Sequence, residues 1–244
     1  MKSKVSQIIA IVLCITLLGC ENQSKEKFPI KKELLAIAYL SVKEKEKEDC
    51  KNEYKSLNTS LYSNYLSTQF SKYSNSCENV IIGDSTMDLA KLNLEFYDRS
   101  KTLNYAVAGN TACDYLYQFE GIGCSPKNVL IATPDGNGVL RKVVSSTSIT
   151  MIKKLTDRIK QKWNSKIVII GIHPVLLSNE NLLKNPVNKG VKDLGYCYID
   201  PNPIFGVSES EMPSQSLMVD QIHYSETIYP KYRQKIIEQC GIQF

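Results

Sequence analysis

The chain has 244 residues, of which 43% are hydrophobic, and its formal net charge is +5 at pH 7. These values suit one folded domain of catalytic size and exclude a disordered, collagen-like or membrane-bundle protein. The positive charge is modest and spread along the chain, so nothing in it indicates a nucleic-acid partner. Two histidines and no Cys-x-x-Cys motif give no sign of a metal site.

The first twenty residues predict an export signal. An apolar run at 8–18 follows a basic start and ends in Leu-Leu-Gly-Cys at 17–20. This ending resembles the bacterial lipobox, in which the cysteine is acylated and becomes the new N-terminus. We therefore expect a signal peptide over 1–19, a lipid anchor at Cys20 with a polar spacer to residue 30, and a protein held on the cell envelope. The alternative is an ordinary cleaved secretory signal that leaves Cys20 free.

The segment from residue 31 to residue 77 is rich in Lys, Glu, Ser, Asn and Tyr and carries a few apolar residues at 34–40. This composition and spacing predict one or two helices. The charge run at 43–49 alternates in sign, which is typical of a solvated helix face. We treat 31–77 as a helical segment in front of the main domain.

From residue 78 onward, short apolar runs alternate with longer amphipathic stretches. The runs predict five buried strands, at 79–83, 103–108, 129–133, 166–172 and 196–200. Apolar residues three or four apart predict helices over 149–163 and from Tyr232 to Cys240, with Gly241 as a C-terminal cap. Strands that alternate with helices predict a parallel sheet covered on both faces, with its active site beyond the carboxyl ends of the strands.

Six cysteines remain beyond the leader and the anchor. In an exported chain this even number predicts up to three disulfide bridges. The best-supported pair closes a short loop after the second strand, because short loops close easily. The expected pairs are Cys113 with Cys124, Cys50 with Cys77, and Cys197 with Cys240.

A serine follows the first predicted strand immediately, in Gly83-Asp84-Ser85. At the start of a helix, unpaired backbone N–H groups and the helix dipole stabilise a developing anion. Taken alone, however, the motif is more typical of a turn whose serine caps the helix.

A carboxylate stands three residues before a histidine near the C-terminus, in Asp220-Gln221-Ile222-His223. On a loop, this spacing lets Asp220 bond one ring nitrogen of His223 and leaves the other to take a proton from a serine hydroxyl. The alternative is a surface histidine with Asp220 merely ordering the loop. The other histidine, His173, follows the fourth strand and is interpreted as structural, because no acidic residue is near it in sequence. The alternative is that it lines the site.

These two motifs resemble the first and last motif blocks of the SGNH (GDSL-like) hydrolases. The middle blocks of that family are a glycine after the second strand and an asparagine after the third, where Gly109 and Asn137 stand. The last of these blocks usually reads Gly-x-Asn-Asp, so Asp135 and Gly138 depart from it, and a plain Pro-Asp-Gly turn is the alternative. Met87 replaces the second glycine of Gly-x-Ser-x-Gly, which disfavours the nucleophile elbow of the α/β-hydrolases.

The resemblance covers about 78–244 and implies an α/β fold: a three-layer α/β/α sandwich with a flavodoxin-like parallel sheet of about five strands. It implies a serine esterase or deacylase in which Ser85 attacks, His223 takes its proton and Asp220 orients His223. The backbone N–H groups of Ser85 and Gly109 and the side chain of Asn137 would hold the oxyanion. No metal or organic cofactor is implied, and the expected substrate is an acyl ester of a glycan or lipid. The alternatives are a non-catalytic surface lipoprotein with this fold and an acyltransferase with the same triad.

Overall fold

The structure, a computed structural model, describes residues 41, 45, 48, 50, 52–54, 78–93 and 95–244. The predicted signal peptide, Cys20, the spacer, Cys77 and most of the predicted helical segment lie outside the described residues. The chain divides into the compact units Met1–Lys45 and Glu46–Phe244, and the elements below all belong to the second. Within the described ranges, no helix is both long enough and apolar enough to cross a membrane.

Five parallel strands form the centre of the second unit. They are β1 (Asn79–Ile82), β2 (Thr102–Asn104), β3 (Asn128–Ala132), β4 (Lys166–Ile170) and β5 (Cys197–Ile199). Their order across the sheet is β2-β1-β3-β4-β5, and each neighbouring pair is parallel. The strand order reverses between β1 and β3, and at such a point a crevice opens beyond the carboxyl ends of the strands. The predicted flavodoxin-like sheet is confirmed.

Helices connect the strands and follow the last of them. They are α1 (Ser85–Leu89), α2 (Ala112–Glu120), α3 (Gly136–Leu140), α4 (Ser145–Trp163), α5 (Ser178–Lys192), α6 (Asn202–Phe205) and α7 (Ile228–Cys240). Short 3₁₀ helices cover Ala90–Leu92 and Gln215–Leu217. α7 ends at Gly241, whose φ of 64° is left-handed, so the predicted glycine cap is confirmed.

Side chains along each central strand alternate between two apolar clusters, one on each face of the sheet. In β1, Val80 and Ile82 lie in the first cluster and Ile81 lies in the second. Residues of α2, α4 and α5 complete the first cluster, and residues of α1, α6 and α7 complete the second. Because both faces of the sheet are covered by helices, the unit is the expected three-layer α/β/α sandwich.

Periodicity predicted α4 and α7 but not the other helices, and two of those show why. The chain after Ser85 is helical only as far as Leu92, because the Asn93 side chain accepts the Glu95 N–H at 3.0 Å and forms a competing turn. α5 has no clear sequence signal, because Pro186 lies inside it and removes one backbone hydrogen bond. Burial of its inner face, which includes Val187, compensates for that loss.

The disulfides differ in part from the expected pairs. Cys50 pairs with Cys113, with their Cα atoms 5.9 Å apart, so the expected pairs Cys113–Cys124 and Cys50–Cys77 are wrong. Cys113 lies in the first turn of α2 and Cys124 beyond its end, so a helix about 13 Å long keeps them apart. Cys124 is also disulfide-bonded. Cys197 pairs with Cys240, as expected, and joins β5 to the end of α7.

Candidate active site

Ser85 is the first residue of α1, just beyond the carboxyl end of β1. The N-cap of this helix is Asp84, whose Oδ1 accepts the Thr86 N–H at 3.0 Å and the Thr86 hydroxyl at 2.8 Å. Because Asp84 provides the cap, the interpretation of Ser85 as a helix-capping serine is wrong. The half-buried Ser85 hydroxyl instead lies against the His223 ring.

Ser85, His223 and Asp220 form one continuous hydrogen-bonded line. Ser85 Oγ lies 2.8 Å from His223 Nε2, and His223 Nδ1 lies 2.8 Å from Asp220 Oδ2. Partial burial disfavours the Asp220 carboxylate, yet bonds from the His223 ring and from backbone N–H groups outweigh it and hold the pKa at about 2. An ionised Asp220 keeps the ring proton on Nδ1 and leaves Nε2 to accept the serine proton. The structure thus brings together the three residues that the two outer motifs predicted.

The loop that carries His223 is fixed by bonds at both its backbone and its side chains. Asp220 Oδ1 accepts the N–H groups of Ile222 and His223, each at 2.7 Å. From the other side, the His173 ring donates from Nε2 to the Ile222 carbonyl at 2.7 Å. The Leu176 N–H donates to the Gln221 carbonyl at 2.9 Å. The position of the His223 ring therefore depends on His173, a buried residue that is only 2% exposed.

Two asparagines of α5 hold the segment around His173. Asn188 bonds both the N–H and the carbonyl of Ile172, at 2.7 and 2.8 Å. Asn181 does the same for Val175, at 2.9 and 2.7 Å. Each amide thus satisfies two buried backbone groups that would otherwise lose their hydrogen bonds. His173 has the structural role that the sequence suggested, and it also lines the cavity of the candidate site, which was the alternative.

Two of the three predicted oxyanion donors, Gly109 and Asn137, lie on adjacent loops. Gly109 follows β2 with a left-handed φ of 80°, a conformation that favours glycine. Asn137 lies in the first turn of α3, and its Nδ2 donates to the Asn110 carbonyl at 2.9 Å. This bond joins the loop after β2 to the loop after β3. An amide nitrogen carries two N–H groups, so one remains for a ligand while the first fixes the orientation of the side chain.

The departures at Asp135 and Gly138 are linked in space. Asp135 has a φ of 70°, a conformation that favours glycine and that aspartate tolerates. A Cβ atom added at Gly138 would collide with the Asp135 carboxylate. The carboxylate at 135 therefore occupies the space that a side chain at 138 would need. The Pro-Asp-Gly turn is present, closed by the bond from the Gly136 N–H to the Thr133 carbonyl at 3.1 Å, and α3 follows it directly with Asn137 in its first turn.

No protein-family model matches the sequence, and no curated protein matches it either. Solved structures do match. A Streptococcus pneumonia protein named for platelet activating factor aligns with a TM-score of 0.63 at 13% identity, over 83% of this chain and 98% of that one. A GDSL-like lipase from Bacteroides thetaiotaomicron aligns with a TM-score of 0.60 at 14% identity, over 73% of this chain and 98% of that one. The chain has the GDSL-like hydrolase fold. An acetylxylan esterase from Geobacillus stearothermophilus shares this fold, with a TM-score of 0.52 at 15% identity, over 69% of this chain and 96% of that one.

In this GDSL-like fold a cavity opens beside Ser85, and Asn137 lines it too. Much of the wall is apolar, and it includes Val139, Leu140, Ile172, Val175 and Ile222. Such a wall suits the apolar part of a ligand whose polar part lies at the serine. Lys184 also lines the cavity, but its ammonium group bonds three oxygen atoms of neighbouring residues, at 3.1 to 3.3 Å.

Replacing His173 by Gln should make the free energy of unfolding less sensitive to acid. Burial lowers the pKa of His173 from 6.5 to about 4 in the folded protein. Below about pH 6.5 the unfolded chain binds a proton that the folded protein does not, so the free energy of unfolding falls until about pH 4. The difference between the pKa values of the unfolded and folded states corresponds to a loss of about 3 kcal/mol in the free energy of unfolding.

Urea unfolding of the wild type and His173→Gln, from about pH 7 to about pH 4, measures this difference. Asp84 and Asp135 act in the opposite direction, because burial raises their pKa from 3.8 to about 6, but they titrate alike in both proteins and cancel. Gln retains an amide N–H for the Ile222 carbonyl. A stability difference that stays constant across this range would contradict a neutral, buried His173.

Two residues of the site region carry no sequence signal that would reveal them. Tyr54 lies in the segment before the main domain, where no motif marks it, and its hydroxyl donates to Asp135 across 81 positions. Asp135 stands between Pro134 and Gly136, where an aspartate normally indicates a turn. Only the packed structure shows that this carboxylate is buried and accepts several hydrogen bonds.

Proposed function

We propose that this protein is an esterase or deacylase that hydrolyses a carboxylic ester, with Ser85 as its nucleophile. The observation that carries the proposal is the line of two 2.8 Å hydrogen bonds from Ser85 through His223 to Asp220. Serine hydroxyls are weak nucleophiles unless a base at hydrogen-bond distance accepts their proton. The ester substrates named for two structural neighbours, a lipase and an acetylxylan esterase, agree with this chemistry.

In the proposed mechanism, Ser85 Oγ attacks the acyl carbon while its proton passes to His223 Nε2. Asp220 stabilises the imidazolium that forms. His223 then gives the proton to the departing alcohol, which leaves an acyl group on Ser85. A water molecule attacks that acyl group, His223 accepts a proton from the water and returns it to Ser85, and the carboxylic acid is released.

The negative charge on the carbonyl oxygen requires donors already in place. The proposed donors are the backbone N–H groups of Ser85 and Gly109 and the second N–H of the Asn137 amide. Their support is the position of Ser85 at the start of α1 and the bond that fixes Asn137 on Asn110. The apolar wall of the cavity beside Ser85 would take the acyl group of a glycan or lipid ester.

Hydrolysis is favoured over acyl transfer by the exposure of the base and its partner. The side chains of His223 and Asp220 are 26% and 54% exposed, so water has access to the acyl-serine. A transferase would have to exclude this water. A pure binding module is disfavoured because its function would not require three side chains to be aligned for proton transfer.

A serine-directed fluorophosphonate tests the proposed function. We expect the wild type to gain the phosphonyl mass on Ser85 and to lose hydrolysis of a short-chain ester in the same proportion. The control is Ser225→Ala, which removes a hydroxyl bonded to Thr227 and should still be labelled at Ser85. A folded wild type that is neither labelled nor active would establish the binding module instead. If Ser85 is labelled but the product with an added alcohol is a new ester and not the free acid, the protein is the transferase.

We also propose that the protein is exported and anchored by lipid at Cys20. The support is the leader that ends in Leu-Leu-Gly-Cys at 17–20, together with the disulfides Cys50–Cys113 and Cys197–Cys240, which suit an oxidising compartment.

Replacing Cys20 by Ser should release the protein from membranes into the soluble exported fraction, because the acylated thiol would be lost. Detergent partitioning of cell fractions measures this. Cys14→Ser is the matched control, since Cys14 lies within the leader and its loss should leave the protein in the detergent phase. If Cys20→Ser partitions like the wild type, the anchor is wrong.

A further inference from the structure

A tyrosine from outside the α/β/α sandwich reaches the loop that carries Asn137. Tyr54 is 1% exposed, and its hydroxyl donates to Asp135 Oδ2 at 2.9 Å. Burial raises the pKa of Tyr54, which keeps its hydroxyl protonated as a donor. A buried hydrogen bond to a carboxylate is among the stronger ones in proteins.

Asp135 connects the two loops that carry Gly109 and Asn137, two of the three proposed oxyanion donors. Its Oδ1 accepts the Ala112 N–H at 2.8 Å, at the start of α2 and three residues after Gly109. Asp135 is also the N-cap residue of α3, whose first turn contains Asn137. Its other carboxylate oxygen accepts the hydroxyls of Tyr54 and of Ser148 in α4. A change in the position of this carboxylate would therefore move both loops together.

The segment that carries Tyr54 is fixed covalently to the same region. Cys50, four residues before Tyr54, is fully buried and bonded to Cys113 in the first turn of α2. On helical backbone, residues four apart lie on the same face, and both residues are helical. The disulfide and the Tyr54 hydroxyl thus contact neighbouring parts of the two loops.

We propose that Tyr54 is a positioning residue for the oxyanion donor Asn137 and acts through Asp135, an inference that rests on the proposed function. Tyr54 does not line the cavity beside Ser85 and would not touch the substrate. Its hydroxyl completes the set of donors that holds the Asp135 carboxylate, and Asp135 is the residue from which α3 begins. The position of the Asn137 amide follows from the start of α3. The segment before the main domain would therefore take part in transition-state stabilisation.

A double-mutant cycle tests this inference. We expect Tyr54→Phe to lower kcat for a short-chain ester by about tenfold, the size of one lost bond to a carboxylate, with KM nearly unchanged. In an Asn137→Ala background the same substitution should change kcat by less than about twofold, because the donor that Tyr54 positions is already absent. Tyr232→Phe is the matched control: it removes a buried hydroxyl with no hydrogen-bond partner among the described residues, and it should leave kcat unchanged.

Each outcome decides between distinct interpretations. The positioning role would be overturned if Tyr54→Phe kept the wild-type kcat. It would also be overturned if Tyr54→Phe lowered kcat equally in the wild-type and Asn137→Ala backgrounds. Either result would leave the proposed function intact. A wild type that neither hydrolyses esters nor reacts with fluorophosphonate would overturn the proposed function and this inference with it. If Tyr54→Phe does not fold, Ser148→Ala removes a second hydroxyl from the same carboxylate and takes its place in the cycle.

Discussion

Ser85→Ala and His223→Ala should each lower the turnover of a short-chain ester by at least about 10⁴-fold. Ser85 supplies the oxygen that becomes acylated, and His223 Nε2, 2.8 Å away, accepts its proton. Because the two act as one unit, the double variant should be no slower than either single variant. Initial rates measured at enzyme concentrations high enough to detect residual turnover would establish this.

The loss of turnover must be separated from a loss of folding. The melting temperature of Ser85→Ala should stay close to that of the wild type, because the helix cap is Asp84 and not the serine. Ser225→Ala should keep full turnover, since its hydroxyl bonds Thr227. A folded Ser85→Ala protein that hydrolyses the ester at the wild-type rate would refute the serine mechanism.

Asn137→Ala should lower kcat by about 100- to 1000-fold while KM changes little. The amide is proposed to bind the oxyanion, which exists in the transition state but not in the bound ester, so its loss affects the chemical step. The bond from Asn137 Nδ2 to the Asn110 carbonyl holds the amide in one orientation before substrate binds. Steady-state kinetics with one ester measures kcat and KM separately.

Asn137→Asp provides the sharper comparison, because it fills the same space but replaces N–H donors by a carboxylate oxygen. We expect it to be slower than Asn137→Ala, since a carboxylate repels the oxyanion. If both variants turn over at the wild-type rate while Ser85→Ala is inactive, another group completes the oxyanion hole. Asn137 would then serve only to join the two loops.

The sheet and most of the triad region could be predicted because their signals are local. Short runs rich in Val and Ile, such as 129–133, predict buried strands wherever they occur, and a parallel order follows from their alternation with helices. Ser85 follows such a strand directly, and Asp220 and His223 are three residues apart. Their approach to one another follows from the rule that parallel strands place their loops at one edge.

The tertiary structure alone decided which distant residues support that site. The Tyr54–Asp135 bond spans 81 positions and the Cys50–Cys113 bridge spans 63, and neither is marked by spacing or motif. The short segment from Cys113 to Cys124 is largely a rigid helix, not a flexible loop. The low entropic cost of closing a short loop therefore does not apply, because the helix holds the two cysteines apart. Periodicity shows which face of an element is buried but not what packs against it. That choice depends on which buried polar groups find partners once the layers have packed, and so only the folded chain reveals it.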